Sequence, residues 1–334
     1  MEVECKTARS KGLGCKSVPI CQAAHPSPAM DTRKRISPHA SLFGTSDLVS
    51  RSRCVVIVAH SFDELIGAGA LISRLRDVTV LYVTNSARAQ ETSQESSPEQ
   101  VKSKNVDDVC VSALALANVP SDRVVEFAIS DIREPHALAD LAKRLSAFLL
   151  RFSPDVVLTH PYEGGHPDHD ATAFATHAAL RLMRSNGFEA PALFEIALHP
   201  SKDGERRELD FLPGQWHETT TFVLDEEMRK LKRRMFECVS VQERNLKGTT
   251  LGREKFRRSP NYDFSTAPNA GRPAYEDFYR GMTGIEWQSI AQQALAELFP
   301  SETSPNRASR ANRPQIYTDK AGSELKSKAM SELN

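Results

Sequence analysis

Two apolar runs that end in histidine constrain this chain more than any other feature. They are "RCVVIVAH" (residues 53–60) and "PDVVLTH" (residues 154–160). Short continuous apolar runs without polar alternation are the pattern of strands buried on both faces. Each run leads into helical spacing, "ELIGAGALISRLRD" after the first and "DATAFATHAALRLMRS" after the second. Between them lie a buried strand "VTVLYVTN", a helix "VDDVCVSALALANV", a strand "DRVVEFAI" and an amphipathic helix "PHALADLAKRLSAFLLRF". Another strand, "ALFEIAL", follows. Strand and helix in alternation predict an α/β fold of three layers, Rossmann-like, around a mostly parallel sheet. Ligands of such sheets bind outside the carboxyl ends of the strands. His60 and His160 are therefore expected on one sheet edge, although about a hundred residues separate them.

Composition narrows the classes. The chain has 334 residues, and its 43 Lys plus Arg balance 43 Asp plus Glu. A net charge of zero gives no reason to expect nucleic acid or an anionic membrane as partner. No apolar run reaches the roughly 18 residues of a membrane span. The basic, polar N-terminus lacks the apolar stretch of a signal peptide. Six cysteines show neither paired metal spacing nor the density of a disulfide scaffold, so reduced thiols in a cytoplasmic protein are expected. Residues 1–50 and 301–334 are rich in Ser, Pro, Lys and Arg without periodicity and read as flexible tails. Residues 51–300 are left as the folded part. Its last third reads as a strand and charged helix, "ETTTFVLDEEMRKLKRRMFECVSVQ", a solvated loop region around "FRRSPNYDF", and a final helix "EWQSIAQQALAEL".

The unusual residues concentrate after the two histidine-ended runs. The first group is His60-Ser61-Phe62-Asp63-Glu64; the second is "THPYEGGHPDHDATAF", residues 159–174. Histidine and carboxylate together suit a catalytic metal with three protein ligands and one open position. Such an ion acidifies a bound water and polarises a carbonyl. A further histidine nearby can stabilise an oxyanion or protonate a leaving amine. An Asp can hold that histidine in one tautomer. Plainer roles compete: Asp168 can cap the following helix, His160 can end its strand, and His177 and His199 read as helix-surface and strand-end residues. Gly67 and Gly69 read as close helix packing, since no Gly-x-Gly-x-x-Gly precedes the helix.

The pair of segments resembles the two motifs of the PIG-L/LmbE-like deacetylases, Ala-His-Pro-Asp-Asp-Glu and Gly-His-Pro-Asp-His. Residues Gly165 to His169 match the second fully; Ala59 to Glu64 match the first in part. The resemblance spans residues 53 to 290 in order and spacing. It implies a metal-dependent hydrolase of amide C–N bonds that removes an acyl group from an N-acetyl amino-sugar conjugate, a metal-bound water attacking the carbonyl. By position it implies His60, Asp63 and His169 as ligands of Zn2+, with Fe2+ as another fitting divalent ion. His166 falls at the oxyanion-stabilising position, with Asp168 as its orienting partner. Arg88 and Glu163 are the candidate substrate contacts.

One departure stands out. The family's general base, the first Asp of its Asp-Asp pair, is Phe62 here, and its Pro is Ser61. A phenyl ring accepts no proton, and losing a positioned base typically costs about 10²–10⁴ in rate. Glu64 or Glu163 are the nearby carboxylates in sequence. A second reading therefore stands beside the hydrolase: a member that keeps the metal and binds a sugar-like ligand or a partner without turnover. A third, a two-His-one-carboxylate iron oxygenase, fits the ligand set but not the second motif.

Overall fold

The structure is a computed structural model that describes residues 37–44, 52–84, 106–129, 135–200, 209–211, 218–239, 251–268, 272–277 and 282–300. Arg88 and the C-terminal tail lie outside the described residues. The helices are α1 (Pro38–Phe43), α2 (Asp63–Arg74), α3 (Val106–Leu116), α4 (Pro135–Phe152), α5 (Pro167–Ser185), α6 (Glu226–Val239) and α7 (Gly284–Leu298). The strands are β1 (Arg53–Val58), β2 (Asp77–Thr84), β3 (Val124–Ile129), β4 (Val156–Thr159), β5 (Ala192–Ile196), β6 (His199–Pro200), β7 (Leu209–Asp210), β8 (Thr219–Val223) and β9 (Arg253–Arg258).

Seven strands form one sheet in the order β3-β2-β1-β4-β5-β9-β8, and β6 with β7 forms a small separate pair. The first five run parallel, while β9 and β8 join antiparallel at one side. Alternate residues of each inner strand face opposite layers, as the pleat requires. Val55, Ile57, Leu81, Val83 and Val157 pack with apolar residues of α4, α5 and α7. Cys54, Val56, Val58, Val80, Tyr82 and Leu158 pack with α2, α3 and α6. Burial on both faces is why these strands read as unbroken apolar runs. Among the described residues, no helix is long and apolar enough to cross a membrane.

Part of the expected N-terminal tail is folded: α1 buries Leu42 fully and sets Phe43 edge-on to Phe194, with ring centroids 6.0 Å apart. Gly67 faces the sheet so closely that a Cβ would stand 2.2 Å from Ile196 Cγ2. The packing role expected for it holds, and a larger residue there would push α2 off the sheet.

The clearest difference from the sequence reading is β9. The segment "REKFRR" carries five charges in six residues, so it reads as solvated. In the fold it is an inner strand, with Glu254 and Arg257 buried. Each finds opposite charge inside, the condition under which buried ions persist. Glu254 meets Lys232 of α6, itself almost fully buried, at 2.5 Å. Glu254 also accepts the N–H groups of Ala70 (2.8 Å) and Leu71 (2.9 Å), while Lys232 donates to the Ile66 carbonyl (2.7 Å). Ile66 C=O and Ala70 N–H are the two groups a regular helix joins to each other. The ion pair thus bridges the turn of α2 from Ile66 to Ala70, which starts three residues beyond Asp63.

Removing one partner leaves the other charge buried and alone. Lys232→Met is expected to lower the unfolding free energy by about 3–5 kcal/mol, measured by urea denaturation. A loss below about 1 kcal/mol would mean the pair is not buried as described.

Candidate metal centre

β1 and β4 are neighbours, and the chain leaves the sheet to opposite sides after them: β2 follows on one side, β5 on the other. Their carboxyl ends therefore border the crevice at the point where strand order reverses. His60 follows β1, His160 follows β4, and His166 to Asp170 form the start of α5. Helix α5 begins at Pro167, earlier than the sequence suggests, with His166 as its N-cap.

Asp63, the first residue of α2, lies at the centre of this cluster. Its Oδ2 stands 3.5 Å from His60 Nδ1, 3.4 Å from His169 Nε2 and 3.4 Å from His160 Nε2. A tetrahedral ion bound at about 2.0–2.2 Å places its donor atoms about 3.3–3.6 Å apart. All three contacts of Asp63, with His60, His169 and His160, have that length. Donor atoms gather within 4.8 Å of one another in two sets, His60-His166-His169 and Asp63-His160-His169. The trio expected from sequence (His60, Asp63, His169) is neither of these sets: His60 falls in the first, Asp63 in the second, and His169 in both. Burial opposes charge on Asp63, but His169, His160 and His60 outweigh it and hold the carboxyl well below its usual range. It is an anion ready to accept a cation.

The histidines are differentiated by their second bonds. His60 Nε2 is 2.8 Å from Asp168 Oδ2, leaving Nδ1 toward Asp63. Burial alone would lower its pKa, yet the bonds to Asp168 and Asp63 raise it to about 10. A carboxylate behind the outer nitrogen of a ligating imidazole is a common support for metal binding. Asp168 thus meets His60 through its carboxylate and His166 through its backbone N–H, which donates to His166 Nδ1 at 3.2 Å. That bond leaves the His166 ring proton on Nε2. Burial and then the positive His60 lower the pKa of His166 to about 4, so it is a neutral donor near pH 7. His169 is likewise held well below its ordinary value, by burial first and then by His160.

Phe62 caps α2 in a left-handed conformation, φ 84° and ψ −19°, with no side-chain cap bond. Such a φ is rare for a bulky residue and stores local strain. Its ring is buried with the apolar residues of α2 and β2. The two nearby carboxylates are each engaged elsewhere. Glu64 accepts the Tyr82 hydroxyl at 2.6 Å, and burial, ahead of the opposing Tyr82 bond, raises its pKa to about 8. Glu163 pairs with Arg257 at 3.0 Å.

The loop carrying Glu163 is held from two sides. Asp170 Oδ1 accepts the N–H groups of Glu163 (3.2 Å) and Gly164 (3.0 Å), and Gly164 takes φ 72°, which suits glycine. Arg257 also bonds Glu195 (2.6 Å) and Tyr262 (3.0 Å). Ser259 donates to Glu195 at 2.7 Å and therefore accepts from His177 Nε2 at 2.8 Å. Buried Arg257 and half-buried Tyr262 and Ser259 thus form a network rather than the solvated loop that their composition suggests.

His177 ends that network. Burial, and secondarily Arg184, lowers its pKa to about 4 from 6.5. The unfolded chain protonates it below about pH 6.5 and the folded chain only near 4. Its contribution is therefore present above 6.5 and lost as pH falls through 4, by about 2–3 kcal/mol. His177→Gln is expected to flatten the acid limb of a Tm-against-pH curve; an unchanged limb would rule this out.

His160 is the residue the sequence reading undervalued. It is completely buried, and the Ala59 N–H donates to its Nε2 at 2.8 Å. Its ring stacks on His169, with centroids 3.9 Å apart and planes 10° from parallel. The available signal was its position: a histidine ending the strand adjacent to the one that ends at His60.

A family model described as PIG-L, GlcNAc-PI de-N-acetylase, matches residues 55–180. No curated protein sequence matches the chain. Solved structures that the chain matches include an antimicrobial pseudoaglycone deacetylase, 20% identical, covering 64% of this chain and 99% of its own, with TM-score 0.45. The N,N′-diacetylchitobiose deacetylase of Pyrococcus horikoshii is 15% identical, covering 62% and 79%, with TM-score 0.41. A 4-carboxy-2-hydroxymuconate hydratase of Pseudomonas putida is 15% identical, covering 80% and 99%, with TM-score 0.43.

Proposed function

From the match of residues 55–180 to the PIG-L family model, we propose that the chain is a divalent-metal amide hydrolase, an N-deacetylase acting on an N-acylated amino-sugar conjugate. The observation that carries this is the Asp63 carboxylate set at tetrahedral-edge spacing from His60 and His169, with Asp168 behind His60. His60, Asp63 and His169 would hold the ion, and zinc suits two imidazoles and a carboxylate. When bound, the ion supplies Lewis acidity and an acidified water.

The chain's own residues supply the rest. Asp168 fixes the ring of His60 and accepts its Nε2 proton. His166, neutral with its proton on Nε2, donates a hydrogen bond to the oxygen that becomes negative as the acyl carbon turns tetrahedral. Glu163, buried and paired with Arg257, and Arg88 are the candidate substrate contacts. Cys54, Cys110 and Cys238 are thiols in no disulfide, in keeping with a reducing, cytoplasmic setting.

One observation favours a second reading. The base position holds a buried phenyl ring, while Glu64 and Glu163 are each engaged elsewhere. A member that binds metal and ligand without turnover has this arrangement too. A hydrolysis assay separates the two: metal-stripped and reloaded full-length protein on a panel of N-acetylated amino sugars. Metal-dependent release of acetate supports the enzyme. Saturable binding of the same sugars without acetate supports the binder.

A further inference from the structure

His160 does not belong to the ligand trio, yet it follows β4 and bonds the residue that follows β1. Its Nε2 accepts the Ala59 N–H, so the ring proton of the neutral form lies on Nδ1, which has no hydrogen-bond partner among the described residues. An Nε2 engaged in this way has no lone pair to give a metal, although it lies 3.4 Å from Asp63. What the ring offers instead is its flat face. At 3.9 Å and 10° it covers one side of His169 almost completely. The other ring contacts of His169 are tilted, with His60 at 5.5 Å and 50° and His166 at 5.1 Å and 39°. Among the ring contacts of His169 with the described residues, the stack is the face-to-face one; it resists rotation of the His169 ring about its own long axis, and that rotation decides where Nε2 points.

Resting on the metal reading above, we propose that His160 is a positioning residue: its ring face holds His169 in the orientation for metal, while its Nε2 separately stabilises the fold. The two roles use different parts of one side chain, so different substitutions separate them. His160→Phe keeps a flat face but leaves the buried Ala59 N–H without its acceptor. His160→Gln keeps an amide oxygen for that N–H but removes the ring. Groups behind metal ligands typically change affinity by about 10–100-fold. An unsatisfied buried N–H acts on stability.

The test uses full-length protein stripped of metal, with Zn2+ alone titrated calorimetrically, Co2+ alone followed by its visible spectrum, and Tm measured without metal. His160→Gln is expected to bind Zn2+ about 10–100-fold more weakly, to change the Co2+ spectrum, and to keep a Tm near wild type. His160→Phe is expected to bind within about threefold of wild type and to melt earlier. His160→Gln binding as tightly as wild type, or His160→Phe losing as much affinity as His160→Gln, overturns the proposal. A wild-type chain that binds neither ion overturns the metal reading itself, and the positioning role with it.

Discussion

His169→Ala is expected to empty the metal centre. The variant removes a donor that stands 3.4 Å from Asp63 Oδ2 and belongs to both donor sets at the crevice. Binding energies of about 10–16 kcal/mol shared over four ligands amount to about 2.5–4 kcal/mol for each. Losing one lowers affinity roughly a hundred- to a thousandfold. Purified wild type should carry about one divalent ion per chain by elemental analysis, the His169→Ala variant close to none, and metal-dependent hydrolysis should vanish with the ion. Folding should survive. Helix α5, which carries His169, keeps its other buried residues in the variant. Full metal occupancy in His169→Ala would refute the assignment of the ligands.

The second large effect concerns Phe62. Phe62→Asp should raise turnover of an N-acetylated amino sugar by about 10²–10⁴, the usual value of a positioned base. Two stability terms oppose each other. The left-handed backbone at φ 84° suits Asp or Asn better than Phe, which favours the variant by about 1 kcal/mol. The phenyl ring is buried, and emptying its site costs about 3–5 kcal/mol. The variant should therefore melt earlier while working faster. Phe62→Asn separates backbone relief from base chemistry, since it shares the first and lacks the second; it should gain nothing in rate. If wild type turns over and Phe62→Asp is no faster, another group serves as base. If wild type is inert and Phe62→Asp is active, the native chain is the binder.

Much of this was legible in the sequence. Continuous apolar runs announced strands buried on both faces, and the helical spacing between them announced the layers. The parallel order then required His60 and the His166–His169 segment to share an edge. Less legible was β9, because "REKFRR" has the composition of a solvated segment. Its burial depends on Lys232, Glu195 and Glu163, which lie far away in sequence and meet it only in the fold. Likewise nothing in "HPDH" says that the Asp168 carboxylate reaches His60 while its backbone N–H serves His166.

The sequence by itself determined the α/β layering, the residue types at two strand ends and the unusual Phe62. Periodicity records burial, and burial is a property each residue carries along the chain. Tertiary structure alone decided which donors face one another, that His160 stacks on His169, and that Phe62 takes a left-handed turn into an apolar layer. Those choices are settled by contacts of about 3–4 Å between residues distant in sequence. At that scale a difference of one ångström separates a ligand from a neighbour, and spacing along the chain does not encode it.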